Sequence, residues 1–221
     1  MITRESCLNL ILALTLAMPT LASAQHHGQN IAGIFSGSTD VGATLKGAST
    51  YNRATKTYRV TGGGADLWGA ADAFHFDWVR MSGDAALTAD IHFPPSAAKG
   101  EKAILIFRQS LDPASPYADV AIHGDGHITL QFRNVQGGKT ADITAADHGA
   151  IRLRIERNGN RFTAYTGPTN GKLTAFSSTT VELKDPVYVG IGVCAHDAAR
   201  VVTVSFSHVT IEKQAHRESS R

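Results

Sequence analysis

Short runs rich in β-branched and aromatic residues recur from residue 57 to residue 213, each closed by turn-forming residues. The runs are 57–61, 73–80, 86–93, 103–109, 117–123, 127–133, 150–156, 161–166, 181–183, 187–194 and 201–213. Between them stand Gly62-Gly63-Gly64, Ser82-Gly83-Asp84, Pro94-Pro95, Gly124-Asp125-Gly126 and Asn158-Gly159-Asn160. Glycine and asparagine accept turn geometry at little cost, and proline withdraws an N–H from any ladder. So regular a cadence argues for an all-β sandwich. No stretch beyond residue 24 keeps a helical apolar period for three turns.

Alternation within the runs separates two faces. Ile128, Leu130 and Phe132 point one way, and Thr129, Gln131 and Arg133 the other. Ala118, Val120 and Ile122 oppose Tyr117, Asp119 and His123. Ile151, Leu153 and Ile155 form a third apolar set. Such alternation predicts one packed and one solvated face per sheet. The short break between 123 and 127 makes two of these runs hairpin partners, which puts Asp119, Gln131 and Arg133 on one face.

Ahead of the sandwich lies an export signal. Arg4 precedes an apolar run at 8–16, Pro19 interrupts it, and Ala22-Ser23-Ala24 offers a cleavage site. The reading is a signal peptide over 1–24, cut after Ala24, on a periplasmic or secreted protein with no membrane span. Residues 25–38 read as a flexible lead-in, 39–213 as the sandwich domain and 214–221 as a disordered tail. Cys194 is the one cysteine beyond the signal and lies in an apolar run, so it is expected to be buried and reduced. A net charge of +2 without a basic stripe argues against nucleic acid.

Several motifs resemble one family. They are Ala65-Asp66-Leu67-Trp68-Gly69, Ala71-Asp72-Ala73-Phe74-His75-Phe76 and Met81-Ser82-Gly83-Asp84, then Arg108-Gln109-Ser110-Leu111-Asp112-Pro113 and Gln131-Phe132-Arg133. Arg157-Asn158-Gly159-Asn160-Arg161-Phe162-Thr163-Ala164-Tyr165, Val187-Tyr188-Val189-Gly190 and Val204-Ser205-Phe206 continue the series. Together they resemble the concanavalin A-like jelly-roll domains of bacterial secreted proteins that carry the "regulation of enolase" or laminin-G-like label. The resemblance spans about 40–211. It implies two antiparallel sheets curved face to face, often as a sugar-binding accessory to glycoside hydrolases. Relatives usually carry Asp after the last-strand Phe; Ser207 stands here, which puts a structural calcium in question.

Catalysis finds little support in the residues. Glycosidases need two carboxylates flanking the scissile bond. Glu101, Glu156, Glu182, Glu212 and Glu218 each lack an acidic residue two positions away, and Asp72 and Asp77 fall on opposite strand faces. No Gly-x-Ser-x-Gly elbow occurs. His123, Asp125 and His127 bracket a turn and invite a zinc reading, but two solvated histidines are the simpler one. His26 and His27 do not stand at the new terminus, and Asp40, Asp66 and Asp72 show no calcium-loop spacing. No cofactor is expected.

The expected function is therefore an exported, non-catalytic module that binds a glycan or envelope polysaccharide. A protein-interaction or structural module of the cell envelope, and an unrecognised glycoside hydrolase, are the other readings. The expected binding face comprises Asp119, Gln131 and Arg133 with Arg108 beside them, and Trp68 is a further ligand-binding candidate. Removing the Arg133 side chain should then weaken binding by roughly 1–3 kcal/mol and leave stability nearly unchanged. Trp78 alternates with Phe74 and Phe76 and reads as core. Trp68 lies in a glycine-flanked loop, where plugging the sandwich end is favoured over stacking on a sugar.

Overall fold

A computed structural model of the chain describes residues 33–149, 151–169 and 171–214. The expected export signal with its Ala22-Ser23-Ala24 site, the first part of the expected lead-in and the residues beyond Gln214 lie outside the described residues. The strands are β1 (Gly37–Val41), β2 (Ala48–Asn52), β3 (Thr57–Gly64), β4 (Leu67–Trp68), β5 (Ala71–Asp72), β6 (Phe74–Met81), β7 (Ala85–His92) and β8 (Lys102–Arg108). They continue as β9 (Tyr117–His123), β10 (His127–Arg133), β11 (Ala141–His148), β12 (Arg152–Asn158), β13 (Arg161–Gly167), β14 (Thr174–Thr180), β15 (Val187–Cys194) and β16 (Asp197–Lys213).

Two seven-stranded antiparallel sheets result, forming a jelly-roll sandwich. The first runs β1-β6-β15-β8-β9-β10-β11 and the second β14-β13-β12-β7-β16-β3-β2. β4 and β5 form a separate two-stranded hairpin. The main core lies between the sheets. Leu105, Phe107, Val120, Ile122 and Leu130 from the first sheet join Leu87, Ile91, Ile155, Phe162 and Phe206 from the second. Each such side chain contributes about 1.5–3 kcal/mol by leaving water.

The face expected to be solvated is not. On the outward side of the first sheet, Val41, Leu67, Phe74, Phe76, Ile104, Ile106, Tyr117, Ala121 and Cys194 form a second buried cluster. Every residue of β8 and of β9 is consequently buried. Gly192 contributes to this: a Cβ there would come within 2.8 Å of the Phe74 ring, so the glycine lets the ring lie against β15. Trp78 packs against the same cluster. Cys194 is buried within it, and its Sγ donates to the Gly64 carbonyl at 3.4 Å.

Other boundaries differ from the sequence reading. The ordered fold begins before residue 39: Phe35 sits in the core, the Ile34 N–H donates to Tyr58 Oη at 2.7 Å, and β1 starts at Gly37. The strand expected at 181–183 lies earlier, at Thr174–Thr180, while Val181 and Leu183 pack into the core outside any strand. β2, β11 and β14 carry few large apolar residues because β2, β11 and β14 are sheet edges, where little burial is demanded.

Candidate functional site

Register places Gln131 opposite Asp119 and Arg133 opposite Tyr117, with Tyr117 opposite Arg108 on the next strand. The four polar candidates therefore share one face as expected. Their solvation is the reverse of expectation. Arg108, Asp119 and Arg133 are 0% exposed and Gln131 is 2% exposed.

The two arginines converge on Asp72, delivered by the β4–β5 hairpin. Arg133 Nη2 donates to Asp72 Oδ1 at 2.6 Å and Nη1 to Oδ2 at 2.9 Å, while Arg108 Nη1 reaches Oδ2 at 3.2 Å. The remaining guanidinium donors hold loop carbonyls. Arg108 binds those of Ser110 and Asp112. Arg133 binds those of Gly138, Pro113, Ser115, Gly69 and Trp68. The planar fork suits such a role, because its donors diverge in fixed directions. These arginines consequently hold loops over the sheet and do not face a ligand.

Asp119 lies beside this cluster; among the described residues neither of its oxygens meets a donor in good hydrogen-bond geometry, although the Gln131 backbone N–H favours its charged form, and Gln131 Oε1 likewise meets no donor. Burial pushes the Asp119 carboxyl well above the usual carboxylate range, which nearby Lys102 only partly offsets.

The hairpin presents Trp68 differently from the favoured reading. Leu67 plugs the fold at 0% exposure, and Trp68 is 41% exposed. One reason is parity, since adjacent strand residues point to opposite sides. Lys102 Nζ sits 5.6 Å from the Trp68 ring centroid, held by Asp66 Oδ1 at 2.6 Å and the Leu67 carbonyl at 3.1 Å.

Trp68 borders a cavity of about 510 Å³ whose lining includes Lys99, Lys102, His123, His127, Gln131 and Asp142. His123 is buried and His127 is stacked on it, with ring centroids 3.6 Å apart. Burial first, and His127 second, pull the His123 imidazole down to about 3, so it is neutral at ordinary pH. His127 Nδ1 pairs with Asp125 Oδ1 at 2.5 Å, and Lys99 lies 3.5 Å from Asp125 Oδ2. The two histidines are therefore not the pair of solvated turn residues expected. Their near-parallel rings do not aim nitrogen lone pairs at a common point, which is unfavourable for a metal. Asp40, Asp66 and Asp72 are engaged by His75, Lys102 and the two arginines respectively, so they do not converge on a calcium ion. Among the described residues no group of three His, Cys, Asp or Glu side chains is placed to hold a metal.

A second polar cluster went unnoticed in the sequence. His75 Nε2 lies 2.8 Å from Ser38 Oγ and its Nδ1 2.6 Å from Asp40 Oδ1, which is the order of a hydrolytic triad. Ser38 Oγ also lies 2.8 Å from Asp77 Oδ1, which Ser49 Oγ contacts at the same distance. The cluster joins β1, β2 and β6 inside the sandwich edge. None of the three cavities described for this fold is lined by these residues. Its geometry is that of a polar staple. Alternate spacing along β1 and β6 is a signal too common to have revealed it.

The fold and the Trp68 cavity thus define a jelly-roll sandwich with one aromatic-headed polar pocket. No known protein-family profile matches the chain, and no curated protein matches it in sequence. Solved structures share the fold. A functionally unknown protein from Saccharomyces cerevisiae aligns over 80% of this chain and 97% of its own, with TM-score 0.60 and 16% identity. The carbohydrate-binding module CBM66 from Bacillus subtilis aligns over 81% and 98%, with TM-score 0.51 and 18% identity. The GH43 protein BlXynB from Bacillus licheniformis aligns over 78% of this chain but 38% of its own, with TM-score 0.54 and 14% identity.

Proposed function

We propose that the protein is an exported, non-catalytic carbohydrate-binding module whose ligand rests on Trp68. The observation that carries this reading is the exposure of Trp68 on a hairpin pinned by Arg133, at the rim of a polar cavity. An indole face covers the apolar face of a sugar ring, while hydroxyls need donors and acceptors close by. Gln131, Asp142 and His127 supply those groups. The fold shared with a carbohydrate-binding module agrees with this, though fold alone assigns no role.

A larger cavity, about 760 Å³, lies elsewhere and mixes Ile34, Met81 and Ile211 with Arg80, Ser82 and Lys213 in its lining. No aromatic side chain is among the residues that line it, so it offers no face on which a sugar ring could stack, and size is a poorer guide here than chemistry. The glycan reading is tested by titrating the exported protein and its Trp68→Ala variant against a panel of xylan, xyloglucan, alginate and amylose oligosaccharides. Binding by the parent with at least tenfold loss in the variant is expected. Absence of binding across the panel, or binding indifferent to Trp68, overturns the reading.

A further inference from the structure

We infer that buried Asp119 keeps its proton and donates it to Gln131 Oε1, which leaves Gln131 to offer an amide N–H to the ligand; this rests on the glycan-binding reading above. Asp119, Gln131 and Asp142 stand directly opposite one another on β9, β10 and β11, so their side chains form one row across the outward face. The row passes from dry to wet. Asp119 is fully buried, Gln131 nearly so, and Asp142 is exposed at the sheet edge. Gln131 and Asp142 line the Trp68 cavity, and Asp119 lies behind them.

Among the described residues, both Asp119 oxygens and Gln131 Oε1 are buried and meet no donor. Neighbouring buried acceptors cost free energy if all stay bare. One proton between them removes most of that cost, because a protonated carboxyl is itself a donor. Gln131 does not supply a proton to Asp119 from its own amide. Its Oε1 is the buried end, and Nε2 is the end left to the cavity.

A side-chain cation could replace the proton, but none bonds to Asp119. On β8, Lys102 and Arg108 act on it; Asp72 does so from β5, Arg133 stands diagonally across on β10, and Tyr117 and His123 flank it on β9. Lys102 Nζ is held by Asp66 and the Leu67 carbonyl, and both guanidiniums by Asp72 and loop carbonyls. The Tyr117 hydroxyl pairs with Thr140, and His123 Nε2 with Thr129. Burial then outweighs Lys102, Arg108 and the Gln131 backbone N–H, and favours the neutral acid.

That proton sets the polarity of the whole row. Asp119 donates to Gln131 Oε1, Gln131 Nε2 donates to a ligand hydroxyl, and an adjacent hydroxyl donates to the Asp142 carboxylate. A donor beside an acceptor matches a vicinal diol, while Trp68 covers the ring. The ligand class is thus a glycan with two adjacent free hydroxyls turned to β10 and β11. With Asp119 ionised, Gln131 turns its N–H inward and brings Oε1 beside Asp142, and the diol then meets two acceptors. Asp119 does not touch the ligand; it is a positioning residue that acts through Gln131.

The first experiment needs no ligand. The Asp119 carboxyl carbon and the Gln131 side-chain amide of the exported protein are followed by NMR against pH. A carboxyl that stays protonated through neutral pH, with the Gln131 amide signal moving only as it ionises, is expected. A carboxyl that ionises near the ordinary value of about 4 overturns the inference, whatever the glycan does. The second experiment titrates xylan, xyloglucan, alginate and amylose oligosaccharides into the parent, Asp119→Asn and Gln131→Glu. Parent affinity should be full where Asp119 is protonated and fall about fivefold as it ionises, the scale of one lost hydrogen bond. Asp119→Asn, whose amide N–H stands in for the acid proton, should hold the low-pH affinity over the same range. The other titratable groups of the cavity are common to both chains, so the difference between the two profiles belongs to Asp119. Gln131→Glu exchanges the donor for an oxygen and should lose about fivefold to tenfold. Urea unfolding checks that this variant folds; if it does not, the Asp119→Asn profile decides alone. A parent profile identical to that of Asp119→Asn overturns the coupling. Absence of binding by all four glycans overturns the glycan reading, and the NMR titration still decides where the proton lies.

Discussion

Arg133 on β10 grips Asp72 on β5 with two parallel bonds, Nη2–Oδ1 at 2.6 Å and Nη1–Oδ2 at 2.9 Å, and both side chains are fully buried. The same guanidinium holds the carbonyls of Trp68 and Gly69 at 3.5 and 3.2 Å. A residue of the sheet therefore sets the position of the exposed indole without facing solvent itself. Arg108 completes the arrangement, giving Asp72 a second cation.

Arg133→Ala is accordingly expected to destabilise the fold by about 3–5 kcal/mol, because it leaves Asp72 buried with half its compensation gone. Urea unfolding measures this. Arg133→Lys should recover little, since a single ammonium cannot reproduce the fork. A variant as stable as the parent would show that the cluster contributes nothing. The earlier expectation of unchanged stability assumed a solvated side chain, and it fails with that assumption.

Asp119→Asn should stabilise the protein at neutral pH. Burial raises the folded carboxyl well above its ordinary value, so the folded state keeps a proton that the unfolded state releases above about pH 4. Stability from this group is then fully present below the unfolded pKa and declines as pH rises toward the folded one. Asparagine removes the decline. Unfolding free energies of parent and variant should converge near pH 3 and diverge by pH 7, with the variant higher. A parent that gains on the variant as pH rises contradicts the assignment.

Cys194 should resist thiol reagents in the native protein. Burial pushes its thiol up to about 12, and its surroundings are the Phe74 and Ile104 cluster. Labelling is expected only at the rate of unfolding, and promptly in denaturant. Rapid native labelling would mean that the outward face of the first sheet is open.

The protein is expected to cleave no glycosidic bond. The motivation is the absence of alternately spaced carboxylate pairs around its glutamates, together with the burial of Asp72 and Asp119. Release of reducing sugar from a polysaccharide panel, abolished by one Asp or Glu substitution, would show a hydrolase.

Much of the architecture was legible in the chain. The runs at 117–123 and 127–133 match β9 and β10 in full, because strong alternation and a glycine turn specify both strands and their pairing. β2, β11 and β14 were not legible, since edge strands of Ser, Thr and Ala carry little period to read.

Strand parity alone determined that Asp119, Gln131 and Arg133 share a face, since period two is a property of the backbone. It could not determine what covers that face. Residues 61 positions apart, Asp72 and Arg133, meet only once the β4–β5 hairpin folds over the sheet. That contact decides which polar groups lose water, and it exposes Trp68 while burying Leu67. Local sequence encodes the direction of each side chain along its strand. Solvation depends on distant segments arriving, and a buried charge is tolerable only when its partner arrives with them.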